Sequence, residues 1–120
     1  ATKSGLTDPE YFFELVKMFE QYPNLYGDIS AFNVPLRGRH VRECLKPGVI
    51  GRRIHGSDYP VPVNGLWARL RGFVSHDAWR KAANEPNVIE RDYQLKVAMG
   101  FSSDVFIRGW DLLRLGSSAK

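Results

Sequence analysis

The residues best suited to chemistry fall in one decapeptide, Arg53-Ile54-His55-Gly56-Ser57-Asp58-Tyr59-Pro60-Val61-Pro62. A short strand-forming run ends in Gly-Ser-Asp, and two prolines then keep it from continuing as a ladder strand, because proline donates no backbone hydrogen bond. The pattern delivers a carboxylate, Asp58, at the carboxyl end of a strand. In parallel α/β folds, ligands and metals occupy the crevice outside those strand ends. Asp58 is therefore the first candidate for a catalytic group. The competing reading is turn chemistry, since an aspartate before Tyr-Pro readily caps a turn. His55 lies three residues earlier and faces away from Asp58 in a regular strand. It reads as a supporting or packing histidine, and neither His40 nor His76 stands at metal-ligand spacing from it.

A second polar set precedes it. Leu25 to Ser30 read as a short strand with Leu25, Gly27 and Ile29 on one face and Tyr26, Asp28 and Ser30 on the other. A strand with one polar face is either open to solvent on that face or lines a site. Asp28 is accordingly a pocket residue or a hydrogen-bonded structural carboxylate.

Helices must position these strands. Asp8, Pro9 and Glu10 predict a helix start, with Asp as cap and Pro at the first helical position. Phe12, Leu15, Val16 and Phe19 then form one apolar stripe, ended by Pro23 and Asn24. Residues 36–47 predict a weaker, charged, outer helix stopped by Pro47 and Gly48, and Val49 to His55 the second strand. About twenty residues between the strands suffice for the helical crossover that parallel pairing needs. Beyond Pro62 the chain reads as helical. Leu66, Trp67, Leu70 and Phe73 make a stripe, and Trp79 falls in a short helix. Asn87 with Glu90 forms a capping-box variant opening a helix through Leu95, Val97, Ala98 and Met99, closed by Gly100. Ser102 or Ser103 caps a last helix carrying Val105, Phe106, Trp110, Leu112 and Leu113, which ends at Gly116.

Composition sets the frame. The chain has 120 residues, 43% hydrophobic and 25% charged, enough for one domain with a core. No apolar run approaches the roughly 20 residues that span a bilayer, and the first residues do not read as a basic-then-apolar leader. No membrane is expected as a partner. One cysteine, Cys44, excludes an internal disulfide and any multi-cysteine metal site, and it reads as a half-buried packing thiol. The expected compartment is the cytoplasm. The net charge of +4 arises in residues 37–53, where Arg37, Arg39, Arg42, Lys46, Arg52 and Arg53 face one acid, Glu43. That segment reads as a solvated face. Without interleaved aromatics or a helix-turn-helix pattern, no nucleic acid is expected.

Two parallel strands among about five helices do not close a sheet, and the residues carry a resemblance that accounts for this. Pro23-Asn24-Leu25-Tyr26-Gly27-Asp28-Ile29-Ser30 resembles the seventh barrel strand of the metal-dependent amidohydrolases, a superfamily of TIM-barrel hydrolases that includes decarboxylases and lactonases. Arg53-Ile54-His55-Gly56-Ser57-Asp58-Tyr59-Pro60 resembles the eighth strand with its terminal aspartate. Asn87 to Asp92, Ala98-Met99-Gly100, Val105-Phe106 and Leu112 to Leu115 resemble the closing helices. The resemblance covers essentially the whole chain in order. It implies an α/β fold: the last two strands (near 24–30 and 49–56) and the closing helical segment (64–116) of a (β/α)8 barrel, helix-rich and partial when alone.

The resemblance further implies that Asp58 contacts the catalytic metal and acts as general base toward metal-bound water. It implies that Asp28, Ser30 and Tyr59 line the pocket for a small-molecule substrate. The metal is expected to be zinc, with manganese the alternative. The family's His-x-His of strand one, its bridging lysine or glutamate and its strand-five and strand-six histidines are absent, whereas a catalytic site needs three or four protein ligands. The expectation is therefore the last third of a longer hydrolase acting on a C–N, ester or lactone bond. By itself this fragment is expected to hold no metal tightly and to be inactive. Decarboxylation within the same superfamily is one alternative. Another is a non-catalytic domain that self-assembles through its exposed apolar faces and sheet edges. A third is a nucleic-acid or phosphate-binding module on the basic segment around Arg37 to Arg53.

Overall fold

Two parallel strands of two residues each, β1 (Gly27–Asp28) and β2 (Arg53–Ile54), hold the candidate residues in register. The computed structural model describes residues 10–30 and 32–114. Gly27 pairs with Arg53 and Asp28 with Ile54. The ladder is extended by Gly27 N donating to Arg52 O at 2.9 Å and Ile29 N to Ile54 O at 3.0 Å. The expected alternation holds along β1, with Gly27 and Ile29 buried and Asp28 exposed. The fold is α/β and rich in helix, with two strands among the described residues.

The first helix, α1 (Glu10–Gln21), carries the predicted stripe. Its expected cap at Asp8 and Pro9 lies outside the described residues. The buried Arg53 guanidinium lies over the rings of Phe12 and Phe19 of α1, 5.3 and 5.1 Å from their centroids. Arg52 ties the end of the same helix to β1, with Nε donating to Leu25 O at 3.0 Å and Nη2 to Tyr22 O at 2.5 Å. The basic segment is thus not simply a solvated face, because two of its arginines are spent on packing.

The connection between the strands is helical, as parallel pairing requires, but it is broken where one helix over 36–47 was expected. It consists of α2 (Pro35–Gly38), α3 (Val41–Cys44) and α4 (Pro47–Ile50). Pro47 starts a turn here and does not stop one. Steric crowding by the proline ring drives Lys46 into extended backbone, ψ 141°, and the missing proline N–H costs nothing at a first helical position. Val49 and Ile50 are spent in that turn, so β2 is shorter than the predicted strand. Cys44 is fully rather than half buried, and burial pushes its thiol up to about 11.

The second half comprises α5 (Leu66–Leu70), α6 (His76–Ala83), α7 (Val88–Met99) and α8 (Ser103–Leu112). Asn87 Oδ1 accepts from the amides of Ile89 at 3.0 Å and Glu90 at 3.2 Å, the predicted cap. The return half of the box comes from Glu85, whose carboxylate accepts from Asn87 N at 2.9 Å. Glu90 instead accepts from Gln94. Gly100 closes α7 in the left-handed region, φ 109°. Ser102 occupies the cap position of α8 without a side-chain cap bond, and the expected end at Gly116 lies outside the described residues. The stripe over 66–73 splits: Trp67 and Phe73 are half-buried, whereas Leu66 and Leu70 are exposed because α5 turns Ala68 into the core instead. The core joins Ile29 and Phe32 after β1, Val41 and Cys44 of α3, Leu95 and Met99 of α7, and Val105 of α8.

The outer edge of β2 is covered. There Arg53 O accepts from Arg108 Nη1 at 2.5 Å and His55 N donates to Val105 O at 3.0 Å. A helix thus satisfies the backbone groups that a following strand would use in a closed barrel.

Candidate functional site

Both strands end at the same side of the molecule, and the residues just past them meet there. Asp28 Oδ1 accepts from Ser30 N at 2.8 Å, closing a tight turn after β1. The side chain of Ser30 lies against Gly56, the second residue after β2. A Cβ at position 56 would collide with Ser30 Oγ and stand 3.7 Å from Asp28 Oδ1, so a side chain there would have to displace Ser30. Burial pushes the Asp28 carboxyl up, but the Ser30 hydroxyl and amide, with the Arg37 and Lys96 charges, together hold it below the usual carboxylate range.

Asp58 lies two residues beyond Gly56, exposed, with φ 57°. Its carbonyl accepts from Val61 N at 2.9 Å, and Tyr59 N donates to Ser57 Oγ at 3.3 Å. The Gly-Ser-Asp stretch is therefore a hydrogen-bonded turn that holds a non-glycine residue left-handed, a conformation Asp tolerates better than most. Tyr59 is 66% exposed and the Tyr59–Pro60 peptide is cis. The expected residues Asp28 and Ser30 are thus brought together with the turn bearing Asp58, while the Tyr59 ring stays in solvent.

Beneath this turn lies a buried polar group that the sequence reading missed. Lys96 and Asp92, one turn apart on α7, are 0% and 1% exposed. Lys96 Nζ donates to Asp92 Oδ2 at 2.8 Å and to Gly56 O at 2.6 Å. The Asn33 side-chain amide donates to Asp92 Oδ1, and Asn33 O accepts from the Trp67 indole at 2.6 Å. Burial pulls Lys96 below the usual lysine range, opposed by Asp92 and by the charges of Asp28 and Asp58. A faint signal existed: Asp92 and Lys96 share the helical face of Leu95 and Met99. The apolar Val97 of the same helix is exposed.

His55 packs its ring on Phe106 at 5.0 Å, with Nε2 3.9 Å from Asp92 Oδ2. Burial first, then the Lys96 charge, pulls His55 below its ordinary 6.5, against the pull of Asp92. His40 is lowered as well, by burial and then Arg39. A histidine lowered in the folded state binds its proton more weakly than in the unfolded chain. The stability tied to these histidines is therefore fully present above pH 6.5 and falls with acidification towards the lowered folded values, with Asp28 adding a further loss below 3.8. Urea midpoints are expected to fall between pH 7.5 and 5.5, and His55→Gln to flatten part of that slope. Equal midpoints across that range in the unsubstituted chain would contradict this account.

Among the described residues, no three His, Cys, Asp or Glu side chains are grouped closely enough to hold a metal ion. The Lys96 ammonium already donates to Gly56 O just past β2, and Asp28 already accepts from Ser30. These residues do not by themselves fit a metal centre. Beside the site a cleft of about 310 Å³ opens between the loops that follow the two strands, walled by Val34, Pro35, Pro62, Trp67 and Leu70. No helix among the described residues is long and apolar enough to cross a membrane. No family model, curated protein or solved structure matches this chain.

Proposed function

We propose that this chain is the carboxyl-terminal part of a metal-dependent hydrolase barrel of the amidohydrolase type, with Asp58 as its strand-end general base. The observation that carries the reading is a parallel strand pair whose adjoining carboxyl ends present Asp28, Ser30 and the Gly-Ser-Asp turn on one side. Strand ends of parallel sheets are where α/β enzymes place their ligands. The apolar cleft between the same two loops suits a small-molecule substrate with a C–N, ester or lactone bond. Zinc or manganese would require ligands from outside this chain, with Asp58 supplying one carboxylate. Decarboxylation on the same scaffold remains the chemical alternative, since fold does not fix chemistry. A buried lone thiol goes with a reducing compartment, the cytoplasm.

The decisive experiment is to express the complete product of the encoding gene, measure its metal content and assay it on amide, ester and lactone panels. A longer product with His-x-His upstream and metal-dependent turnover supports the reading. A gene product of these 120 residues alone, with no turnover, sinks it.

One observation favours a second reading, a self-assembling interaction domain. The β2 edge is sealed by α8, while Leu70 (73%) and Leu113 (71%) stand in solvent with Trp110. A stable oligomer of this chain with no metal requirement would support that reading.

A further inference from the structure

A fully buried lysine needs a reason, because desolvating an ammonium costs several kcal/mol unless its partners are well placed. Lys96 has three N–H donors. One goes to Asp92 on its own helix and one to the carbonyl of Gly56, 40 residues away in the chain. Gly56 is the pivot of the turn that presents Asp58. The Ser30 side chain occupies the space beside the Gly56 Cα, while the direction of the Gly56 carbonyl is set by Lys96. Two residues later Asp58 adopts φ 57°. A non-glycine residue holds that conformation only when its surroundings over-determine it. Asp92 is in turn held by the Asn33 amide, and Asn33 by the Trp67 indole, so α5, α7 and both post-strand loops share one hydrogen-bonded chain.

We propose that Lys96, oriented by Asp92, is the positioning residue for Asp58: its ammonium grips the Gly56 carbonyl and so fixes the Gly56-Ser57-Asp58 turn at the strand ends. Lys96 touches no reacting atom in this role. Its functional value rests on the hydrolase reading, but the geometry itself is testable without any turnover.

The test is amide NMR on the full 120-residue chain. The double substitution Lys96→Met with Asp92→Leu replaces the ion pair by apolar side chains of similar volume, an exchange that buried pairs often tolerate. The expected result is a folded protein in which the turn's hydrogen-bonded amides, Tyr59 and Val61, shift and exchange with solvent at least tenfold faster. The ladder amides of Gly27 and Ile29 should keep their protection. A pair that merely ties the core together would leave the turn amides unchanged in the folded variant, and that outcome overturns the proposal. If the double variant does not fold, Asp92→Asn carries the same test, since it keeps the volume while withdrawing the charge that orients Lys96. Altered Tyr59 and Val61 amides with an intact ladder again support the role, and unaltered ones overturn it. Failure of the hydrolase assay leaves these spectra untouched, so the two ideas fall separately.

Discussion

On the hydrolase reading proposed above, Asp58→Asn is expected to lower turnover of the full-length parent by about 10²- to 10⁴-fold, the usual contribution of a positioned general base. The fold should survive. Asp58 is exposed, and its hydrogen bond in the turn uses its carbonyl and not its carboxylate. Asparagine is the right replacement because it tolerates φ 57°. Alanine at that φ adds roughly 1–2 kcal/mol of backbone strain, which would mix a folding defect with the chemical one. Steady-state kinetics and a thermal melt on the same sample separate the two. Near-normal kcat in a folded Asp58→Asn enzyme would remove Asp58 from the mechanism and leave it a turn residue.

The largest stability effect should come from Asp92→Ala. It strands the Lys96 ammonium in a site where the lysine is 0% exposed. Breaking a buried pair from one side costs about 3–5 kcal/mol, a large share of the roughly 5–15 kcal/mol that holds a typical domain. For a chain of this size the melting temperature should fall on the order of 10–20 °C. The Asn33 amide also loses its acceptor. Exposed acids such as Asp77, replaced in the same way, give the comparison. A drop no larger than theirs would mean that water or a shifted Lys96 side chain takes over the lost contacts.

Much of the candidate site was legible in order but not in depth. The turn at Gly56-Ser57-Asp58, the alternation of Gly27, Asp28 and Ile29, and the caps at Asn87 and Gly100 follow from local preferences of glycine, proline and short polar side chains. Three features did not follow. The helix expected over 36–47 breaks into α2, α3 and the start of α4; Pro47 accounts for the last of these breaks, because it serves equally well as a stop or as a first helical residue. The strand expected from Val49 shrinks to β2 for the same reason. Lys96 and Asp92 were passed over because charged residues on a helix are usually solvated, and nothing local marks the two that are not.

By itself the sequence determined where the chain must turn, which segments favour helix and strand, and that a carboxylate follows the second strand. Those are short-range properties, decided by φ preferences, capping groups and apolar spacing within a few residues. Only the tertiary structure decided that Lys96 reaches Gly56, that Arg53 lies over the rings of Phe12 and Phe19, and that α8 covers the edge of β2. Each of these joins residues tens of positions apart. Such contacts depend on how the helices pack across the two strands, where burial turns an ordinary surface charge into a partnered one.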